Sequence, residues 1–469
     1  MNSRPRAYES PALPLSYLGV VKAGQMLLWE KGIVNFDRFR KSAQTSLKTV
    51  SSAHGTLAPM SKRNRNILIA LGGMILLAAL VYQIPAVKSR LAWRIEVFQL
   101  YVKNTVNPIG PVPTALPVTP QPSTPTPAST ATSIAQALPS VTPTATFPPL
   151  PAQVLMNSPI YEKQTPNNCG PATLSMALKM YGWEGNQTMI SDVVKPILQD
   201  RNVNPEELRY YVRTRAGWLN LEYRVGGDIE LLKRLLAANY PVMVESVTSL
   251  NPDDALGPSD DLWAAHYLLL TGYDDTKQEF TVQDSYRGPD MTISYAQLEE
   301  EWKPFNNLYM VMYFTQYEEQ MMNLLASDWD PELNRQGTLD ATQAAIESPD
   351  ADAFDWFNYG SNLAYFRRYE EAALAYDKAR EIGLPLRMFR YQFGPFLAYF
   401  HSGRNDDLLV LTKYAISVTD MSEEAWLWHG YGLYRTGDNA GARKAWEKAI
   451  SINPNFFEDQ AQKALQLIP

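Results

Sequence analysis

The pattern of apolar and polar positions divides the chain into unequal parts. Residues 67–87 read ILIALGGMILLAALVYQIPAV, a run of 21 with no charge. Lys62, Arg63 and Arg65 precede it, and Lys88, Arg90 and Arg94 follow it. A helix of about 20 apolar residues crosses the hydrocarbon core of a bilayer, and flanking cations favour that placement. The pattern therefore predicts a basic tail over 1–66, a single transmembrane helix over 67–87, and a juxtamembrane helix over 88–103. A core helix or a cleaved signal fits less well, since the run lacks a polar face and sits too far along the chain.

The periodicity then disappears. From 104 to 154 the chain is rich in Pro, Thr and Ser, with 13 of its 34 prolines between Pro108 and Pro151. No charged residue occurs between Asn104 and Tyr161. Such a composition predicts an extended, solvated stalk with nothing to pack.

Mixed helix and strand patterns follow over 155–317. Leu174, Ala177, Leu178 and Tyr181 recur at helical spacing behind Pro171, which suits a first turn. Asn167 or Asn168 is placed to cap that helix. DIELLKRLLAANYPVMVE over 228–245 reads as a helix and then a strand. HYLLLTGY, a turn at Asp274 and Asp275, and EFTVQDSYRG read as an antiparallel pair. YAQLEEEW over 295–302 reads as a short helix.

Over 318–469 the pattern is helical and repeats. Trp356, Gly360, Leu363, Ala372, Tyr376 and Ala379 recur 70 positions later as Trp426, Gly430, Leu433, Ala442, Trp446 and Ala449. Gly394, Leu397 and Ala415 mark a looser copy between them, and Pro454 closes the last one. The period resembles that of tetratricopeptide repeats, about 34 residues. Residues 318–350 are expected to add a helix pair. The resemblance implies a face that binds a protein or peptide partner; a stabilising spacer is the plainer alternative.

Charge adds a polarity to this order. Residues 1–161 hold 15 Lys/Arg against 4 Asp/Glu, and the remainder 27 against 45. The acidic body excludes nucleic acid as its main ligand. The basic head suits anionic lipid, and its bias predicts the N-terminus inside the cell and the rest outside.

One cysteine, Cys169, and four histidines, His54, His266, His401 and His429, bound the chemistry. A disulfide within the chain and a Cys-based metal site are excluded, and no cofactor or metal is expected. Cys169 stands at a helix start, where the positive end of the dipole stabilises a thiolate. His266 is the only histidine between the stalk and the C-terminal helices. Asp284, at the end of the neighbouring strand, is placed to orient its imidazole. Gln164, five positions before Cys169, is placed to donate to an oxyanion with the Cys169 N–H. Singly, each has a bland reading: a buried thiol, a core histidine, a turn cap, a surface amide. Asp253, Asp254, Asp260 and Asp261 lie in a polar loop over 250–262 that binds a cation, steers a basic substrate or is merely solvated. Trp263 either lines a cleft or packs in the core. His401 and His429 read as packing or surface residues.

QTPNNCGPATLSMAL, HYLLLTGYDD and VQDS, in that order, resemble papain-like peptidases related to bacteriocin leader processing, the double-glycine leader peptidase group. The resemblance covers about 155–315. It implies an α+β papain-like domain with Cys169 as nucleophile, His266 as general base and acid, Asp284 as orienter and Gln164 as oxyanion donor. The chain lacks the multi-span core and ATP-binding motif of transporter-fused members, so cleavage after paired glycines does not carry over. The expected protein is multidomain: a membrane-anchored cysteine peptidase acting on a peptide or protein substrate. An inactive binding module and an acyl transferase using the same residues are the alternatives.

Overall fold

The computed structural model describes residues 61–83, 85–117, 147–197 and 199–468. The basic tail lies outside them apart from residues 61–66. Described residues up to Glu96 form one unit, and those from Val97 onward form another.

Helix α1 spans Lys62–Tyr82, with the Ser61 side chain capping its first turn. Helix α2 spans Pro85–Val106. The expected single span over 67–87 is thereby corrected. The apolar part of α1 ends at Tyr82, and Pro85, which has no N–H to donate, opens the next helix. Residues 67–82 reach about 24 Å at 1.5 Å per residue, short of a hydrocarbon core of about 30 Å. Among the described residues no helix is long and apolar enough to cross a membrane.

The larger unit contains an α+β domain and a helical region. In the first, β1 (Gln153–Leu155) precedes three helices, α3 (Cys169–Lys179), α4 (Gln187–Val194) and α5 (Pro205–Arg215). Then come β2 (Leu219–Arg224), α6 (Ile229–Ala237), β3 (Val242–Ser249), β4 (Trp263–Asp274), β5 (Glu279–Asp284), β6 (Gly288–Ser294), α7 (Tyr295–Trp302) and β7 (Tyr309–Phe314). The strands make one sheet in the order β2-β7-β3-β4-β5-β6, with β1 added beside the end of β4. Every pairing described is antiparallel.

Alternation along the strands covers both faces of the sheet. Met243, Leu269 and Met310 join the core beneath α3, α4 and α5. Val242, Val244, Leu268, Leu270 and Val311 join the core beneath α6 and α7. Gly272 is required where β1 meets β4, because a Cβ there would lie 2.5 Å from the Val154 carbonyl oxygen.

The helical region runs α8 (Glu318–Leu325), α9 (Pro331–Ile346), α10 (Ala353–Tyr365), α11 (Tyr369–Ile382), α12 (Gly394–His401), α13 (Asn405–Val418), α14 (Glu423–Arg435), α15 (Asn439–Ile452) and α16 (Pro454–Leu465). From α9 onward each helix packs on the next. The repeated glycines mark close helix contacts: a Cβ on Gly360 would come 3.0 Å from the Tyr376 ring, and one on Gly430 2.3 Å from Trp446 Nε1.

The stalk expected over 104–154 does not stand free where it is described. Val112 is buried in the core of the helical region, with Ile109 packed against it. Arg380 donates to the carbonyls of Pro113 and Thr114, and Asp407 accepts from Leu116 N–H. At its start, Asn104 donates to the Leu256 carbonyl. These partners supply the hydrogen bonds that water was expected to supply.

Candidate active site

Three elements converge on Cys169. Helix α3 begins with the thiol-bearing residue itself. Asn167 ahead of it is left-handed, with φ 59°, a conformation asparagine tolerates better than most residues. Asn168 makes no side-chain cap, contrary to expectation. Its amide instead donates to Gln187 Oε1 at 2.9 Å.

Gln187, the first residue of α4, fixes the whole turn. Its Oε1 also accepts from Thr165 N–H at 2.8 Å and Thr165 Oγ1 at 3.1 Å. Its Nε2 donates to the Lys163 carbonyl at 2.8 Å and to Glu162 Oε1 at 3.1 Å. Glu162 in turn takes Ser175 Oγ at 2.5 Å and Lys179 Nζ at 2.7 Å. The segment before the thiol is thus bonded at nearly every step.

The β4–β5 register sets Leu268 opposite Asp284. His266, two residues earlier, is then Asp284's diagonal neighbour on the same face, within reach of long side chains. His266 Nε2 lies 2.7 Å from Asp284 Oδ1, and both residues are buried. The imidazole also interacts with the Cys169 side chain, each shifting the other's titration. Since Nε2 faces Asp284, Nδ1 is left for the sulfur.

Asp284 is itself held: Oδ1 accepts from Tyr286 N–H at 2.8 Å and Arg287 N–H at 3.0 Å. Gln164 lies against the same turn. Its N–H donates to the Ser285 carbonyl at 2.9 Å, and its Oε1 accepts from Ser285 Oγ at 2.9 Å. With the amide oxygen engaged, Nε2 is the group left to donate elsewhere.

The electrostatics follow from these contacts. Burial pushes the Cys169 thiol up, but the hydrogen bond and charge of His266, the Tyr267 backbone N–H and the Lys195 charge hold it below the ordinary thiol value. Burial would lower His266, yet the hydrogen bonds and charges of Asp284 and Cys169 raise it to about 9. For Asp284, burial pushes upward, and His266 with the Arg287 and Tyr286 N–H groups brings the carboxyl below its usual range. Together these shifts favour a thiolate beside an imidazolium.

The four sequence candidates therefore fall in one place: His266 is bonded to Asp284 and interacts with Cys169, and Gln164 is bound to the residue after Asp284. Sequence reading missed Gln187 and Lys195. Lys195 is buried, and its Nζ donates to the Asn167 and Asp200 carbonyls, each at 2.6 Å. Burial pulls its pKa down, and the charges of Asp200, Cys169 and Glu423 oppose that. A lysine inside the apolar run VVKPIL was its one available signal.

Two of the four aspartates of the acidic loop serve packing. Asp260 pairs with Arg387, and Asp261 accepts from Leu386 N–H at 2.8 Å. No metal-holding cluster occurs among the described residues. Trp263 stacks on Phe305 with centroids 5.8 Å apart. His401 stacks on Tyr369, and His429 bonds Thr412.

Residues 156–310 match the Peptidase_C39 like family. Among solved structures, a putative C39-like peptidase from Bacillus anthracis is 15% identical, with 34% of this chain and 97% of that chain covered and a TM-score of 0.28. The peptidase domain of Streptococcus ComA is 13% identical, covering 34% and 100%, with a TM-score of 0.26. Xylellain, a cysteine protease from Xylella fastidiosa, is 14% identical, covering 36% and 87%, with a TM-score of 0.26. No curated protein matches the chain.

Proposed function

With residues 156–310 a Peptidase_C39-like domain, we propose that the chain is a thiol peptidase with Cys169 as its nucleophile. The observation that carries this reading is the imidazole of His266, held by Asp284 at 2.7 Å and interacting with Cys169.

The Cys169 thiolate attacks the carbonyl carbon of a peptide bond, and the charge gathers on the carbonyl oxygen. Gln164 Nε2 and the Cys169 backbone N–H donate to that oxygen. As the C–N bond breaks, the His266 imidazolium gives its proton to the departing amine, leaving a thioester. His266, now neutral, takes a proton from water, whose oxygen attacks the thioester and releases the acid. Asp284 keeps the ring oriented throughout and stabilises its charged form.

The helical region, in this reading, is built of tetratricopeptide-like repeats and recruits the protein substrate. Attachment to a membrane is supported by α1, where Ile67, Ile69, Leu76 and Leu77 are each more than half exposed beside Lys62 and Arg63. An exposed apolar surface of that extent marks a membrane or protein interaction site. Flotation of the full chain with vesicles containing anionic lipid tests the attachment; a chain that stays at the bottom of the gradient removes it.

The peptidase reading is tested by comparing the proteome of cells making the wild type with that of cells making Cys169→Ala. New peptide termini should appear only with the wild type, and a thiol-directed probe should label Cys169. Identical termini together with an unlabelled thiol would rule out catalysis.

A further inference from the structure

The segment bound on α11 and α13 is held in a way that any extended chain of similar backbone would satisfy. Arg380 Nε donates to the Pro113 carbonyl at 2.7 Å and Nη2 to the Thr114 carbonyl at 2.9 Å. Asp407 Oδ1 accepts from Leu116 N–H at 3.0 Å. All three bonds go to main chain. The side-chain contributions are Val112, 6% exposed within the core of the helical region, and Ile109 packed against that core.

The receiving groups are fixed independently of the segment. Arg380 Nη1 donates to Tyr399 Oη at 2.8 Å and to Asp407 Oδ1 at 3.3 Å. Tyr399 donates to Asp377 at 2.8 Å, and Arg404 ties Asp377 to Asp407. The Arg380 side chain is fully shielded, at 0% exposure. Without the segment, two of its N–H groups would face the vacated site, free to take the carbonyls of another extended chain.

Prolines suit such a site. Pro111 and Pro113 bring no N–H that would need a partner, and they favour the extended conformation beforehand. A short proline-containing strand therefore loses little on binding.

We propose that this surface is a binding site for extended Val-Pro-Thr-type peptides of other proteins, and that residues 109–117 occupy it as an intramolecular ligand. The tethered segment competes at an effective concentration on the order of millimolar, so a partner enters by displacing it. This proposal does not rest on peptidase activity.

The test uses a fluorescent peptide with the sequence of residues 109–117, IGPVPTALP, and the full chain. The wild type should bind it weakly. Val112→Asp, which ejects the tethered segment, should bind it at least tenfold more tightly. Leu116→Pro, which removes one N–H at an exposed position, serves as the milder variant should Val112→Asp fail to fold. A peptide carrying the Val→Asp change should bind neither variant. Equal binding by wild type and folded variants, absence of binding by all of them, or binding of the Val→Asp peptide would each overturn the proposal.

Discussion

Asp284 Oδ1 sits 2.7 Å from His266 Nε2 while accepting two backbone N–H groups from the following turn. The carboxylate is thus oriented by its own loop before it orients the imidazole. Asp284→Asn keeps the size but loses the charge, and one amide orientation would turn N–H donors toward the two backbone N–H groups. Turnover of a peptide substrate is expected to fall about 100-fold or more, with KM little changed. Steady-state kinetics on the folded variant checks this.

The pH behaviour follows from the same pair. His266 is raised from 6.5 to about 9. Its contribution to stability is complete below pH 6.5 and is lost as pH rises through about 9. Cys169 is shifted the other way, so the thiolate–imidazolium pair exists above the lowered thiol pKa and below about 9. Peptidase activity should decline on the alkaline side as His266 loses its proton. In Cys169→Ala the His266 midpoint, followed by NMR, should drop below about 9, because the sulfur's bond and charge are gone. An unchanged midpoint would mean that the two side chains do not interact.

Gln164→Ala removes one proposed oxyanion donor at a residue that also bonds Ser285. The expected loss is in turnover, on the order of 10²–10³-fold, with the melting temperature nearly constant. Gln187→Ala should behave differently. It deletes the acceptor for Thr165 and Asn168 and the donor to Lys163 and Glu162. Leaving buried groups unpaired costs about 1–3 kcal/mol, so both thermal stability and activity should fall. Circular dichroism melts beside kinetics separate the two variants.

Gly430→Ala tests the helical region alone. A Cβ there would sit 2.3 Å from Trp446 Nε1, whose N–H already donates to the Leu427 carbonyl. Helices α14 and α15 would have to part or the indole to turn, at a cost of about 1–3 kcal/mol. Melting measurements on the full chain should show the loss, with Cys169 labelling retained.

The grouping of the candidate residues was legible because the sequence offered few choices. A single cysteine, one histidine in the right segment and a strand ending in aspartate left few alternatives, and the expected antiparallel pair set Asp284 beside His266, where the structure has it. Gln187 and Lys195 were not legible, since each acts through backbone carbonyls and side chains whose proximity only folding creates. The span over 67–87 was misread because composition sums across Gln83 and Pro85, whereas a helix does not. The start of the stalk, over 104–117, was misread for a related reason, while 118–146 lie outside the described residues: Pro-rich composition reports what a segment lacks, and the partner of Pro113, Arg380, lies 267 positions further on.

That partner changes what covalent continuity means for this chain. Residues 104–117 are clasped to the body that also holds β1 through its pairing with β4. The stretch between Pro117 and Phe147 therefore closes a ring on one folded body and does not separate two. A single cut anywhere in that ring would sever the chain without shedding the α+β domain from residues 104–117. The joint would then last as long as Val112, Arg380 and Asp407 keep their hold, and would open when a competing strand took their place.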